Sequence, residues 1–192
     1  FHERSLDLDL LFALLRRRSD RLVVMSATLQ ADRIAEALNG KHLRAEGRAY
    51  EVELLHDTKG PVFPSAKGLV ERVVRGVERL SREEGDLLVF LPGKSEISSV
   101  KAALSRQGQQ LVVELHGGLS PDQQAAAFRP ASKQKVILST NVAETSVTVP
   151  GIKGVIDSGL VRQTRYHGGR GALSLVPIAM DSAEQRRGRA GR

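Results

Sequence analysis

Cysteine and tryptophan are absent from this chain of 192 residues, and aromatic residues make up only 4% of it. Without cysteine, the chain can form neither a disulfide framework nor a thiolate metal site. Five histidines are present, but none stands in a His-Glu-x-x-His pattern. These absences argue against a metalloenzyme, and we expect no metal-binding residue in the chain.

Long apolar runs are missing as well. No segment approaches the roughly 18 to 20 apolar residues of a membrane helix. The chain opens on Phe1-His2-Glu3-Arg4, which does not resemble a signal peptide. We therefore expect no membrane insertion and a cytoplasmic location. Because an initiator methionine is also missing, we expect the chain to be part of something longer at both ends.

Acidic residues are fewer than basic ones, and the imbalance is concentrated in one stretch. The net charge of the chain is +7. Residues 160–192 contain seven arginines against Asp181 and Glu184, so seven minus two leaves +5 there. A concentrated positive field favours a polyanionic partner, which means nucleic acid, nucleotide phosphates or both.

The first part of the chain shows separate helix and strand patterns. Leucine spacing predicts a helix over residues 5–18. The short apolar run at residues 22–25 predicts a strand that is buried on both faces. Residues 31–38 predict a helix that ends at Asn39-Gly40, and residues 51–55 favour another strand.

A regular alternation of helices and strands follows from residue 69. Helices are predicted around residues 69–80, around 97–104, and from Ser120, where Ser120-Pro121-Asp122-Gln123 forms a capping box. Strands are predicted at residues 87–91, 111–115, 136–138 and 155–156. This order predicts an α/β fold with a parallel sheet and helices on both faces. Ligands of such sheets bind in the loops that follow the strand carboxyl ends.

Residues 161–167 and 172–178 flank a glycine-rich turn and predict a β-hairpin. The hairpin carries Arg162, Arg165 and Arg170. Taken alone, this pattern is more often ordinary surface structure than a binding element.

Three polar segments follow predicted strands. The hydroxyls of Ser26-Ala27-Thr28 can bridge a nucleotide site and a neighbouring site, although a helix N-cap is the better explanation of so short a motif. Pro92-Gly93-Lys94-Ser95 resembles the end of a phosphate-binding loop, but Leu88 stands where that loop needs glycine. Backbone N–H groups there can still hold a phosphate.

The third polar segment is residues 139–148, which we call the strand-end loop. Seven of its ten residues are polar or charged, which favours contacts to phosphate and sugar.

The most informative segment is the arginine segment, residues 185–192, in which four arginines alternate with two glycines. Asp181 or Ser182 is predicted to cap a helix, with Glu184 completing a capping box. If that helix continues, Arg189 and Arg192 share one face. Guanidinium groups in such an arrangement bind phosphate bidentately. The alternative is a solvated basic tail.

In this order, the segments resemble the motifs of DEAH-box helicases of superfamily 2, most of all the bacterial HrpB group. Residues 1–5 resemble the tail of the DEAH box, residues 26–28 resemble motif III and residues 88–93 resemble motif IV. The strand-end loop resembles motif V, and the arginine segment resembles motif VI. The resemblance implies a RecA-like fold with a protruding β-hairpin. Residues 1–48 would be the C-terminal part of a first RecA-like domain, and residues 49–192 the second, truncated at motif VI.

The resemblance also implies hydrolysis of ATP, with Mg²⁺, between two RecA-like domains. Arg189 and Arg192 would reach the γ-phosphate, Gln185 would help to place the attacking water, and His2 would link the nucleotide to motif VI. Residues near the nucleotide would be Phe128, stacked on the base, and Thr148, while Ser26 and Thr28 would couple the two sites. For Phe128, a core-facing position at a helix end is the alternative. We expect Arg187 to be exposed.

Hydrolysis would be coupled to movement along nucleic acid, RNA more than DNA. Its backbone would be contacted by Gly93, Thr140 and Asn141, and the hairpin with Arg162, Arg165 and Arg170 would separate strands. The Walker A lysine and the acidic residues of the DEAH box would lie upstream of Phe1, so we expect the chain alone not to hydrolyse ATP. A non-catalytic nucleic-acid-binding module is the main alternative. A structural or interaction domain would leave the strand-end loop unexplained.

Overall fold

The computed structural model describes residues 6–18, 21–25, 31–43, 50–145 and 147–190. The chain divides into two compact units, residues 1–48 and residues 49–192. The assignment of these units to two different RecA-like domains stays a prediction. In the described parts of the chain, no helix is both long and apolar enough to cross a membrane.

The first unit contains the two predicted helices, α1 (Leu6–Leu15) and α2 (Ala31–Leu38). Asn39 has a positive φ of 50° and ends α2 together with Gly40, as the sequence indicates. The strand predicted at residues 22–25 is wrong, because these residues form no strand and Val23 and Met25 are 83% and 81% exposed. An apolar run becomes a parallel strand only when a neighbour pairs with it, and the described part of this unit contains no strand.

The strand predicted at residues 51–55 is also wrong. The segment has no regular structure, and Leu54 and Leu55 are exposed. Alternating polar and apolar residues favour a strand only when one face packs on a core. That condition is not met here.

The centre of the second unit is a parallel sheet of four strands, in the order β2-β3-β1-β4. The strands are β1 (Asp86–Phe90), β2 (Leu111–Leu115), β3 (Lys135–Ser139) and β4 (Ile152–Asp157). Strands β1 and β3 lie in the middle, and their continuous apolar runs are buried on both faces. The parallel sheet predicted from the sequence is confirmed.

Helices cover both faces of this sheet. On one face, α3 (Leu69–Leu80) and α4 (Lys94–Gln107) pack their buried residues against Leu87 and Val89. On the other face, Leu88 and Phe90 pack against residues that follow α5 (Pro121–Ala125) and against α6 (Val142–Thr145). Successive residues of β1 therefore point to opposite cores, as the two-residue period of a strand requires.

The predicted capping box at α5 is confirmed. The Gln123 N–H donates to Ser120 Oγ (3.4 Å), and the Ser120 N–H donates to Gln123 Oε1 (3.0 Å). Pro121 occupies the first helical position, where its missing N–H is harmless. The sequence therefore fixes the start of this short helix.

The hairpin consists of β5 (Leu160–His167) and β6 (Arg170–Pro177) and forms a separate antiparallel pair. Gly168 and Gly169, which connect the strands, have positive φ values of 55° and 77°. Two successive left-handed residues suit the twist of a tight hairpin, and glycine adopts them without steric cost. The predicted hairpin is confirmed.

The cap predicted for the last helix is wrong. Helix α7 (Met180–Arg187) begins after Ala179, so Asp181 and Ser182 lie inside its first turn instead of capping it. The reason is tertiary: the Ile178 N–H donates to Gly159 O (3.0 Å), which fixes where the chain leaves the hairpin. The helix ends at Arg187, with Gly188 as its C-cap, so it does not continue to Arg189. The shared face predicted for Arg189 and Arg192 stays a prediction, because Arg192 lies outside the described residues.

Candidate functional site

The carboxyl ends of all four parallel strands lie at one edge of the sheet. The register pairs Phe90 with Ser139 and with Asp157, and Ser139 with Leu115. The loops that contain Gly93, Thr140 and Asn141 therefore begin at the same edge, where ligands of open α/β sheets bind.

The strand-end loop leaves this edge and turns into α6. Thr140 is half-buried and its N–H donates to Leu115 O (3.3 Å), while Asn141 is exposed and its carbonyl accepts from the Glu144 N–H (2.9 Å). Ala143 and Glu144 are buried. Exposed polar residues therefore lie near both ends of the loop, at Asn141 and Thr148, and its middle is anchored in the protein.

Arg189 joins the arginine segment to the strand-end loop. Its guanidinium donates to Val147 O (3.2 Å), to Thr148 Oγ1 (3.2 Å) and to Glu144 O. The structure thus brings two of the predicted site residues, Arg189 and Thr148, into direct contact, although 41 positions separate them in the sequence. Polar groups from two distant segments converge at this point.

The buried centre of the arginine segment is Arg186, a residue that the sequence pattern does not distinguish from the other arginines around it. Its side chain is 1% exposed. Nε donates to Glu144 Oε2 (2.8 Å), and Nη1 donates to Asp157 Oδ1 (2.9 Å) and to Leu160 O (3.4 Å). The guanidinium also lies 4.9 Å from the ring centroid of Phe90, within the range of a cation–π contact.

These contacts explain why a charge can be buried at this position. Two carboxylates, a carbonyl and a ring satisfy the guanidinium from four elements of the fold. An arginine buried without such partners would be strongly unfavourable. Arg186 therefore fixes α7 against α6 and the ends of β1 and β4.

The neighbours of Arg186 face different surroundings. Arg187 is exposed, as predicted, and pairs with Glu184 (2.5 Å). Gln185 is half-buried on α7. Four predicted site residues lie outside the described residues: His2, Ser26, Thr28 and Arg192.

Phe128 lies just beyond α5 and is partly buried. It packs against the same core cluster as Val147 and Val155. This packing agrees with the alternative interpretation of Phe128, a core-facing residue at a helix end. The base contact predicted for Phe128 stays a prediction.

The three hairpin arginines do not lie on one surface. Arg162 is paired with Leu175 and Arg165 with Ala172, and because side chains alternate along a strand, these pairs lie on opposite faces. Arg165 and Arg170 are exposed on the same face. Arg162 instead donates to Glu96 Oε1 (2.7 Å) and Ser95 Oγ (3.4 Å) at the start of α4.

Arg162 also covers Gly93. A Cβ atom at position 93 would lie 2.8 Å from Arg162 Nε, so a larger residue there would displace the arginine. The predicted residues Arg162 and Gly93 are therefore brought together, but the guanidinium is occupied by an internal ion pair.

The Glu96 carboxyl shows the electrostatic effect of this pair. Partial burial acts to raise its pKa, but the hydrogen bond from Arg162, with further hydrogen bonds and the arginine charge, lowers the pKa below 4.5. A carboxyl whose folded pKa lies below its unfolded value stabilises the fold above the unfolded pKa and loses that contribution as the pH falls.

We therefore expect Glu96→Gln to reduce stability at pH 7 by about 0.2 to 1 kcal/mol, the range of partly exposed ion pairs. The difference from the parent should shrink as the pH falls through and below 4.5, where the parent loses the ion pair too. Urea titrations at pH 7, 5 and 3 measure it, with Glu71→Gln at an exposed glutamate of α3 as the matched control. A difference that grows towards acid pH would contradict the expectation.

The sequence of this chain is similar to those of known proteins over the residues of the candidate site. Residues 68–192 match the helicase conserved C-terminal domain family. The whole chain is 39% identical to the ATP-dependent RNA helicase DEAH11, chloroplastic, of Arabidopsis thaliana and 36% identical to the ATP-dependent RNA helicase HrpA of Escherichia coli (strain K12). The chain spans 12% and 16% of these two relatives.

A solved structure agrees with the sequence comparison. The crystal structure of the E. coli DExH-box NTPase HrpB has a TM-score of 0.84 and 38% identity to this chain, covering 100% of the chain and 25% of that protein. The resemblance to DEAH-box helicases and the RecA-like α/β fold predicted from the sequence are thereby confirmed.

Proposed function

The chain belongs to the helicase conserved C-terminal domain family, and from this premise we propose that residues 49–192 are the second RecA-like domain of an ATP-dependent RNA helicase. The single observation that carries the proposal is the contact of Arg189 with the strand-end loop. It joins the two most specific segments of the sequence at the sheet edge where ligands of such folds bind. Residues 1–48 would belong to the first RecA-like domain.

In the proposed site, ATP binds at this edge of the sheet. Arg189 and Arg192 supply positive charge to the transferring phosphoryl group, which is the main requirement of such a transition state. Gln185 orients the attacking water, His2 connects the nucleotide to the arginine segment, and Phe128 contacts the base. Thr148 helps to orient Arg189, while Ser26 and Thr28 transmit the state of the nucleotide to the nucleic-acid site.

We propose that ATP is used together with Mg²⁺. The parts of the chain that the structure describes contain no group of three acidic or histidine residues suited to a metal ion. We propose that the ligands of Mg²⁺ belong to the first RecA-like domain of the full-length protein. When bound, the ion would neutralise phosphate charge, and the arginines would act beside it.

Nucleic acid is proposed to bind along the loops with Gly93, Thr140 and Asn141. Exposed Arg165 and Arg170 extend this surface along the hairpin, and arginines of this kind contact phosphates without reading the base sequence. Arg162 contributes indirectly, because its guanidinium is paired with Glu96. RNA is preferred to DNA as the substrate because the relatives are described as RNA helicases. A cytoplasmic location belongs to the same proposal.

The test is the ATPase activity of the protein encoded by the full reading frame, measured with and without single-stranded RNA. Turnover that rises with RNA is the expected result, and the 192-residue chain alone should give none. Measurable turnover by the chain alone would contradict the proposed division of the site. Absence of turnover in the full-length protein would contradict the helicase function.

A second candidate is a non-catalytic nucleic-acid-binding module, favoured by the exposed Arg165 and Arg170 on one face of the hairpin. Such a module would bind RNA with an affinity that falls steeply with salt. Its affinity would not depend on the nucleotide. Binding of labelled RNA by the full-length protein, with and without a non-hydrolysable ATP analogue, separates the two functions.

A further inference from the structure

Lys135, the first residue of β3, is a buried cation to which neither the sequence nor the proposed function assigns a role. It is 3% exposed, and lysine is rarely buried unless its charge is paired. Its ammonium donates to Ala127 O (2.9 Å) and Arg129 O (3.0 Å), and lies 3.1 Å from Asp86 Oδ2. All three hydrogens of the ammonium thus have an acceptor.

The two carbonyls that Lys135 binds belong to the residues on either side of Phe128. The segment follows α5, a helix of only five residues, which is too short to be stable by itself. A cation at the last carbonyls of a helix stabilises its end. The Lys135 ammonium therefore holds the backbone on both sides of the phenylalanine.

The other side of this arrangement is anchored in the sheet. Asp86, the first residue of β1, accepts from the Lys135 N–H through Oδ1 (2.8 Å) and pairs with the ammonium through Oδ2. The lysine side chain is thereby fixed at both ends. Rigid sheet strands determine the position of a segment that its own short helix could not hold in place.

We propose that Lys135 is a positioning residue for the nucleotide base, because it fixes the backbone that presents Phe128. This inference rests on the proposed function, in which Phe128 contacts the base. A contact to the base is the same before and during phosphoryl transfer, since the base is remote from the reacting phosphate. Loss of such a contact raises KM and leaves kcat unchanged.

The test compares Lys135→Met with Lys133→Met in the full-length protein. Lys133 is an exposed lysine two residues away, so the same substitution there controls for loss of charge. We expect Lys135→Met to raise KM for ATP roughly tenfold, in line with the loss of most of a base-stacking contact, at unchanged kcat. Lys133→Met should leave both constants unchanged.

Inhibition by inorganic tripolyphosphate distinguishes loss of the base contact from a general loss of structure, because a general loss of structure would weaken the inhibition. It carries the phosphates but no base, so its inhibition constant as a competitor of ATP should be the same in the parent and in Lys135→Met. The double variant Phe128→Ala/Lys135→Met should raise KM no further than Phe128→Ala alone, because both changes remove one contact.

Three results for Lys135→Met would overturn the inference: a fall in kcat, a parallel weakening of tripolyphosphate inhibition, or additive effects in the double variant.

If Lys135→Met does not fold, Lys135→Arg is the second variant to test. It keeps the charge beside Asp86, but its planar guanidinium cannot occupy the same point between two carbonyls. This variant should also raise KM, and an unchanged KM would overturn the inference. Absence of ATPase activity in the parent protein would instead contradict the proposed function.

Discussion

Replacement of Arg189 by alanine in the full-length protein is expected to lower ATP turnover by about 10³-fold, the effect typical of a lost arginine finger. The guanidinium lies at the carboxyl edge of the sheet, where it donates to Val147 O and Thr148 Oγ1. A cation held there by fixed acceptors needs little reorganisation when charge develops on a phosphate. The measurement is kcat for ATP at saturating RNA.

The control for Arg189→Ala is Arg187→Ala. Arg187 belongs to the same segment, but it is exposed and pairs with Glu184 on its own helix. Its loss should therefore leave kcat within about twofold of the parent, as for surface changes worth under 0.5 kcal/mol. Arg192→Ala, tested in parallel, should resemble Arg189→Ala. Normal turnover in the Arg189 and Arg192 variants would assign the arginine segment to another role and favour the nucleic-acid-binding module.

The Arg189→Lys variant shows whether ATP turnover depends on the charge of the Arg189 side chain or on the orientation of its guanidinium. Lysine keeps the positive charge, but its single nitrogen cannot reproduce a fork that reaches two acceptors at once. We expect turnover to stay close to that of Arg189→Ala if orientation matters, and to recover most of the loss if charge alone suffices. RNA affinity should change little in either variant, because the proposed role of Arg189 lies at the nucleotide.

The sequence predicted the parallel sheet and the hairpin of the second unit well, because several local signals agreed there. A short apolar run such as residues 87–90, with helix patterns on both sides, is typical of a central strand. The capping box at Ser120 marks a helix start from chemistry within four residues. Glycine at positions 168 and 169 specifies the turn of the hairpin. In each case, the information lies within a few residues of the structure that it determines.

The errors occurred where structure depends on distant residues. Residues 22–25 are apolar enough for a strand, but only a pairing partner could make them one. The start of α7 is fixed by a hydrogen bond between Ile178 and Gly159, which overrides the capping preference of Asp181. Local propensity is a weak signal wherever such tertiary contacts compete with it.

The burial of Arg186 could not be read from the sequence for a related reason. The arginine segment is uniformly polar, and its partners Glu144 and Asp157 stand 42 and 29 positions away. One signal was available: Glu144 is an acidic residue in a segment that follows a buried strand, and a buried carboxylate requires a cation. The pattern does not say which of the four arginines supplies it.

The second large effect is expected at this residue: Arg186→Met should destabilise the 192-residue chain by about 3 to 5 kcal/mol, the usual result of removing one partner of a buried ion pair. Methionine fills much of the space, but Glu144 and Asp157 would be left without the cation that joins them. Glu144 also supplies the carbonyl that Arg189 binds, so the strand-end loop should loosen as well. Urea denaturation followed by circular dichroism measures the loss.

A second substitution identifies the cause of this loss. Glu144→Gln in the Arg186→Met background removes the more deeply buried of the two uncompensated carboxylate charges. We expect it to restore part of the stability, because a buried charge without a partner carries the larger penalty. Asp157 is left unchanged, since it also accepts from the Gly159 N–H (2.8 Å) and holds the start of the hairpin. Arg187→Met should change stability by less than about 0.5 kcal/mol, like other surface substitutions. If Arg186→Met is no less stable than Arg187→Met, then the packing of α7, and not its buried charge, holds the arginine segment against the strand-end loop.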